Sequence, residues 1–225
     1  MIHIDPATEP DNFDAIVRQP GLNALAELVG ELTVARRGPK RKKIADRRED
    51  IPPDLLPSFW REANEDLLRA YHRICAYTSL YIPRVTGAPS VDHMFAKSVD
   101  WRHVYEWSNY RLACALVNSN KGTRAPLDPF EIKDEWFALE LVGYQVLPGE
   151  FVTGSLWDQV DETINKILHL NDLDFRLARG EYADDYLAGA IRYDHLERHA
   201  PFVARELRRQ GKLLPADLSA GRSNV

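Results

Sequence analysis

The sequence predicts an α+β fold, a mostly helical single domain over residues 1–225 that includes one β-hairpin. Three observations carry that prediction. Apolar residues recur at three- and four-residue steps in the first third and the last third of the chain, the spacing of one helical face. Aromatic and branched residues, Trp136 to Leu141 and Tyr144 to Leu147, flank Val142-Gly143 as the two arms of a hairpin would. From Tyr77 to Gly122 the periodicity is irregular, and polar residues gather there.

Residues 1–74 read as N-terminal helices. Phe13, Ile16, Val17, Leu22, Leu25, Leu28, Val29 and Leu32 keep helical spacing, with Pro20-Gly21 dividing them into two short helices. A basic loop at 36–48 follows, around Gly38-Pro39. Pro52-Pro53-Asp54 opens the strongest helix, with Asp54 as a cap or first-turn acid. Its stripe of Leu56, Phe59, Trp60, Ala63, Leu67, Ala70, Tyr71 and Ile74 runs to about Cys75 and reads as core. Residues 75–150 hold the irregular module and the hairpin. Residues 151–225 return to helix over Leu156 to Leu168, Leu173 to Tyr186 and Pro201 to Gln210. Asn171-Asp172 is a break that can cap the next helix, and a frayed tail is expected from Leu213.

Composition excludes several classes. At 225 residues, 44% hydrophobic and 28% charged, the chain can bury a real core. No apolar run approaches the roughly 18 residues of a membrane helix. The start, Met1-Ile2-His3-Ile4-Asp5-Pro6, has neither a basic nor an apolar signal region, so a cytoplasmic location and no membrane partner are expected. Two cysteines, Cys75 and Cys114, are too few for a disulfide framework and fit a reducing compartment. The net charge of −5 is unevenly spread. Arg36, Arg37, Lys40, Arg41, Lys42, Lys43, Arg47 and Arg48 face the single acid Asp46, so 36–48 carries +7 and the rest −12. Such a block reads either as a solvated arm that neutralises phosphates or as a plain solubilising loop.

The chemistry lies in the irregular centre. Asp92 and His93 are adjacent, Asn109 follows sixteen residues after His93, and Asn118 nine after that. Hydrolysis of a phosphodiester needs an activated water, relief of charge on the leaving oxygen and a scaffold that aligns them. Asp92 offers an anionic oxygen and Asn118 a neutral one, an oxygen set that suits one Mg²⁺ or Mn²⁺ ion. On a strand, His93 would point away from Asp92, free to act as a base, and an ordinary histidine near pH ~6.5 can take a proton from water. Asn109 cannot transfer protons, so its expected work is to hold the loop before it by amide hydrogen bonds. Lys97, Arg111 and Lys121 are candidate phosphate contacts. Asn120 competes with Asn118 for the metal. His103 reads as a loop residue, and His72, His169, His195 and His199 as structural. Trp101, Tyr105 and Trp107 read first as loop packing, with base stacking as the second use.

Val91-Asp92-His93, then Asn109-Tyr110-Arg111-Leu112-Ala113-Cys114, then Asn118-Ser119-Asn120-Lys121-Gly122 resembles the ββα-metal motif of HNH nucleases, in the variant whose last histidine is asparagine. The resemblance implies a strand–loop–strand–helix module at 75–150. Asp92 and Asn118 would be its metal ligands, His93 its general base and Asn109 its loop-orienting residue. The nine-residue step favours Asn118 over Asn120. The flanks Cys75-Ala76-Tyr77-Thr78, Tyr105-Glu106-Trp107-Ser108 and Leu127-Asp128-Pro129-Phe130 are similar to HNH proteins of prokaryotic defence islands, including nuclease subunits paired with an ATPase in Septu-like and retron-linked systems. This implies a DNA endonuclease serving antiphage defence, with RNA left open as substrate. An ATPase or another defence subunit, and a second copy of the chain, become candidate partners. The alternative is a non-catalytic nucleic-acid-binding or scaffold subunit of such a complex. Relatives often bind a structural zinc with two Cys-x-x-Cys pairs. Here those pairs read Cys75-x-x-Thr78 and Cys114-x-x-Val117, so that zinc site is expected to be lost, with the two cysteines buried side by side.

Overall fold

The computed structural model describes residues 1–220, which form eight α-helices and two two-stranded antiparallel sheets, with one continuous core running from Met1 to Leu207. The fold is mixed α+β. Among the described residues no helix is long and apolar enough to cross a membrane.

The first helical run is not broken at Pro20-Gly21. A π-wound turn, Asp14–Arg18, leads without interruption into α1, Gln19–Val29, and Pro20 lies in the first turn of α1. A proline in mid-helix deletes a hydrogen bond and crowds the preceding turn; the wider π turn ahead of it accommodates both effects. Gly21 is needed for space, because the Tyr105 ring lies 2.5 Å from where a Cβ would be. Gly30, at φ 79°, closes α1 with a left-handed cap.

The segment expected to be the strongest helix is instead fragmented. Short 3₁₀ turns at Pro53–Leu55 and Phe59–Ala63 precede α2, which covers only Asn64–Ala70. Pro57 interrupts the run near its start. At the other end His72 and Arg73 take positive φ, which terminates the helix before Cys75. The apolar stripe is real, and Trp60, Ala63, Leu67 and Leu68 are all buried, but local backbone chemistry decides how much of it is helix.

Strand β1, Pro89–His93, pairs antiparallel with β2, Tyr110–Cys114, in the register Val91↔Leu112 and His93↔Tyr110. Helix α3, Ala115–Lys121, begins directly at the end of β2 and packs across both strands, with α2 also against them. The expected hairpin forms as β3, Phe137–Leu139, and β4, Val146–Pro148.

Helix α4, Gly154–Asp161, continues into a π-wound segment, Glu162–Ile167; then come α5, Leu173–Leu187, α6, Tyr193–His199, and α7, Pro201–Arg209. Asp172 is at the cap position of α5 but makes no capping bond, and the Asn171 amide instead brackets Val146 on β4. The tail is not simply frayed, since Pro215–Ala220 forms α8; residues 221–225 lie outside the described residues.

Candidate functional site

Side-chain alternation along β1 sorts the polar residues onto two faces. Ser90 and Asp92 turn toward α3, where Asn118 and Lys121, about one helical turn apart, meet them. Asn118 Nδ2 donates to Ser90 Oγ at 2.7 Å. Lys121 Nζ donates to Asp92 Oδ1 at 3.0 Å and to the His93 carbonyl at 2.8 Å. Tyr77 Oη donates to Asp92 Oδ2 at 2.5 Å, and burial followed by the charge of Asp92 holds its phenol far above the ordinary range, so it stays a donor. Asp92 is therefore gripped at both oxygens.

His93 turns the other way, edge-on to the rings of Trp60 and Tyr110 at 5.1 and 5.2 Å. Its Nε2 lies 3.0 Å from the Val104 carbonyl, which can only accept, so Nε2 carries the hydrogen and Nδ1 keeps a bare lone pair. The Tyr110 hydroxyl donates to the same carbonyl at 2.8 Å. Burial pushes His93 down to about 3; the charges of Lys97 and Lys121 lower it further while the Val104 contact opposes. The ordinary value assumed from sequence therefore does not hold. The ring is neutral throughout the physiological range.

Asn109 is buried and bridges the loop between the strands. Its Oδ1 accepts from Phe95 N at 2.7 Å, and its Nδ2 donates to the carbonyls of Phe95 and His103 at 3.1 and 2.9 Å. With the backbone bond from Met94 N to its carbonyl, it fastens both ends of the 94–103 turn.

Asp92, His93 and Asn118 line one cavity of about 730 Å³, together with Trp60, Arg61 and Lys97. Lys97 Nζ sits 4.2 Å from the centre of the Trp60 ring. Neither Lys97 nor Arg61 forms an ion pair among the described residues, and Asp92 is the only acid in the lining. Asn64 also lines the cavity, and its Oδ1 is buried with no partner. Asn118 Oδ1 is likewise uncommitted once Nδ2 has gone to Ser90. One carboxylate and two unspent amide oxygens form an all-oxygen donor set, which fits a hard divalent cation such as Mg²⁺ or Mn²⁺. Among the described residues no group of three or more His, Cys, Asp or Glu is placed to hold a metal, so water or substrate would complete any coordination.

Several expected contacts go elsewhere. Lys121 does not reach solvent as a phosphate contact; it is 1% exposed beneath Asp92. Arg111, 4% exposed, is committed to Asp128 through two bonds and stacks on Phe130, so it too is unavailable to phosphate. Asn120 points out of the cavity to the Leu168 carbonyl. In the basic loop, Arg36 and Arg41 fold back onto Glu27, whose side chain is 2% exposed. Lys43 pairs with Asp46, Arg47 with Asp50, and Arg48 with Glu31. That leaves Arg37, Lys40 and Lys42 as the arm's cations without an ion pair among the described residues. Trp107 and Tyr105 pack inward, donating to the carbonyls of Ala7 and Pro57. Cys75 and Cys114 are neighbours, with Cys114 N donating to Cys75 Sγ at 3.4 Å.

Sequence reasoning missed Tyr77, Ser90, Arg61 and Asn64. Ser90 was within reach, since strand alternation places it beside Asp92. Asn64, a polar residue next to the apolar stripe at Ala63 and Leu67, was a further sign; Tyr77 carried none. No protein-family model matches this chain, and no curated protein matches it.

Proposed function

We propose that this chain is an HNH endonuclease of the asparagine-terminated variant, a metal-dependent hydrolase of phosphodiester bonds in DNA that serves as the effector of an antiphage defence system. The observation that carries the reading is the meeting of Asp92, His93 and Asn118 in one cavity on a strand–strand–helix unit, with the intervening loop fastened by Asn109.

Asp92 and Asn118 would hold the divalent ion, with Asn64 adjacent. When bound, that ion supplies charge relief at the leaving oxygen. Lys97 and Arg61 draw the phosphate into the cavity and set it against His93. Nδ1 of His93 takes a proton from water, and the water oxygen forms the new bond to phosphorus. The bond to the leaving oxygen breaks, and that oxygen is protonated from solvent. Tyr77 and Lys121 hold the Asp92 carboxylate fixed in direction.

The second reading is a non-catalytic nucleic-acid-binding or scaffold subunit. Two observations favour it: both Asp92 oxygens are already engaged, and His93 is a weak base in the free chain. Nicking of supercoiled plasmid with Mg²⁺ or Mn²⁺ separates the two. Activity that is lost on chelation and in His93→Ala supports the enzyme. Equal activity in wild type and His93→Ala overturns it, and DNA binding with no cleavage in either leaves the scaffold reading.

A further inference from the structure

The lining of the cavity carries an unusual charge balance for a cation site. Asp92 contributes one negative charge, the only one in the lining. Lys121 stands against it at 3.0 Å from behind, the two side chains being 1% and 3% exposed, so neither charge is screened by solvent. Arg61 and Lys97 bring two further basic side chains to the lining, neither in an ion pair among the described residues. His93 is neutral. The four formally charged side chains at and behind the lining, three basic and one acidic, sum to +2. A divalent cation arriving alone meets like charge, while a phosphodiester arriving alone meets opposite charge.

We infer that Lys121 is a built-in counter-ion that cancels Asp92 toward free cations, so that the divalent ion is retained only together with a substrate phosphate. The phosphate restores the negative charge that Lys121 removes, and cation and nucleic acid then bind with positive cooperativity. Lys121 is a positioning residue here: it lies outside the cavity lining, and among the described residues its ammonium hydrogen-bonds Asp92 and the His93 carbonyl. This inference rests on the hydrolase reading for the location of the cation but not on turnover.

The test measures Mn²⁺ binding by electron paramagnetic resonance on the full chain, without turnover. One arm has protein alone, one adds a thymidine oligonucleotide with phosphorothioate linkages, and one adds its uncharged methylphosphonate counterpart. Wild type should bind Mn²⁺ weakly alone and about 5- to 150-fold more tightly with the charged oligonucleotide only. Lys121→Met should raise the affinity for Mn²⁺ alone by at least about tenfold and reduce the coupling, whereas Lys121→Arg should keep it. Equal Mn²⁺ affinity in the three wild-type arms overturns the inference, as does a folded Lys121→Met that binds like wild type. If Lys121→Met does not fold, the three wild-type arms still decide. Cooperative binding without plasmid nicking would remove the hydrolase reading alone, and nicking with uncoupled Mn²⁺ binding would remove this inference alone.

Discussion

Arg111 and Asp128 form a two-pronged pair, Nε to Oδ1 at 2.8 Å and Nη2 to Oδ2 at 2.5 Å, with Arg111 directly opposite Asp92 in the β1–β2 register. Arg111 also donates to the carbonyls of Ser108 and Tyr110, so its guanidinium ties the end of the loop to β2 and to the segment after α3. Removing one member of a buried pair leaves the other charge uncompensated. Arg111→Met should therefore cost about 3–5 kcal/mol in urea unfolding. A loss in DNA affinity at unchanged stability would instead make Arg111 a phosphate contact.

Asn109 should be intolerant even of its closest relatives. Asn109→Ala deletes three part-buried hydrogen bonds, and at a net of roughly 0.5–1.5 kcal/mol each their loss predicts a cost of about 1.5–4.5 kcal/mol. Asn109→Asp keeps the acceptor for Phe95 N but sets a carboxylate against two carbonyl oxygens. Limited proteolysis should show cleavage within 94–108 in both variants, with the aspartate at least as sensitive. An aspartate variant as resistant as wild type would sink the positioning role.

Glu27 gives a pH dependence of definite sign. Its hydrogen bond to Arg36 is the largest cause, opposed by burial and aided by Arg41, and its carboxyl falls from the ordinary 4.5 to about 2. A carboxylate held below its unfolded value stabilises the fold above about pH 4.5 and loses that contribution as the pH falls toward 2. Wild type should exceed Glu27→Gln in stability by a constant margin at neutral pH, and the margin should shrink between pH 4.5 and 2. Urea midpoints at pH 7, 4 and 3 test this, and a margin that grows toward acid contradicts it.

The basic arm divides into structural and free cations. Substituting Arg37, Lys40 and Lys42 with Ala together should leave the melting temperature unchanged and flatten the salt dependence of DNA binding, lowering the slope of log K against log salt by about 2–3. Substituting Arg36 and Arg41 should instead lower stability, because buried Glu27 loses its partners. Identical salt slopes in wild type and the triple variant would remove the arm from the DNA interface.

How far the chain reveals itself from sequence depends on whether the governing interaction is local. The hairpin around Val142-Gly143 follows from residue pattern. The pairing of β1 with β2 is expected only from the resemblance, because periodicity is irregular between Tyr77 and Gly122. Burial of charge follows from neither. Nothing in the string of residues distinguishes Lys121, which folds under a carboxylate 29 residues away, from Lys97, which stays at the cavity. Arg36 and Arg41 look like free phosphate binders until Glu27 is placed beneath them. The helix expected to reach Cys75 stops at Ala70 because left-handed backbone at His72 and Arg73 is a tertiary outcome, invisible to apolar periodicity. The depressed basicity of His93 likewise comes from the rings of Trp60 and Tyr110, neither adjacent to it in the chain.

The Val104 carbonyl serves two masters, the Tyr110 hydroxyl and the His93 ring. Because it sits on the inter-strand loop, it acts as a tautomer latch. While the loop is seated, the ring hydrogen is pinned to Nε2 and the lone pair is offered at Nδ1. A loop lifted from the strands would free the hydrogen to migrate to Nδ1, and a base acting through that lone pair, as proposed, would fall silent with no atom removed. Nitrogen chemical shifts of the His93 ring would register the latch directly, as a single Nε2–H form in wild type and a tautomer mixture in Asn109→Ala.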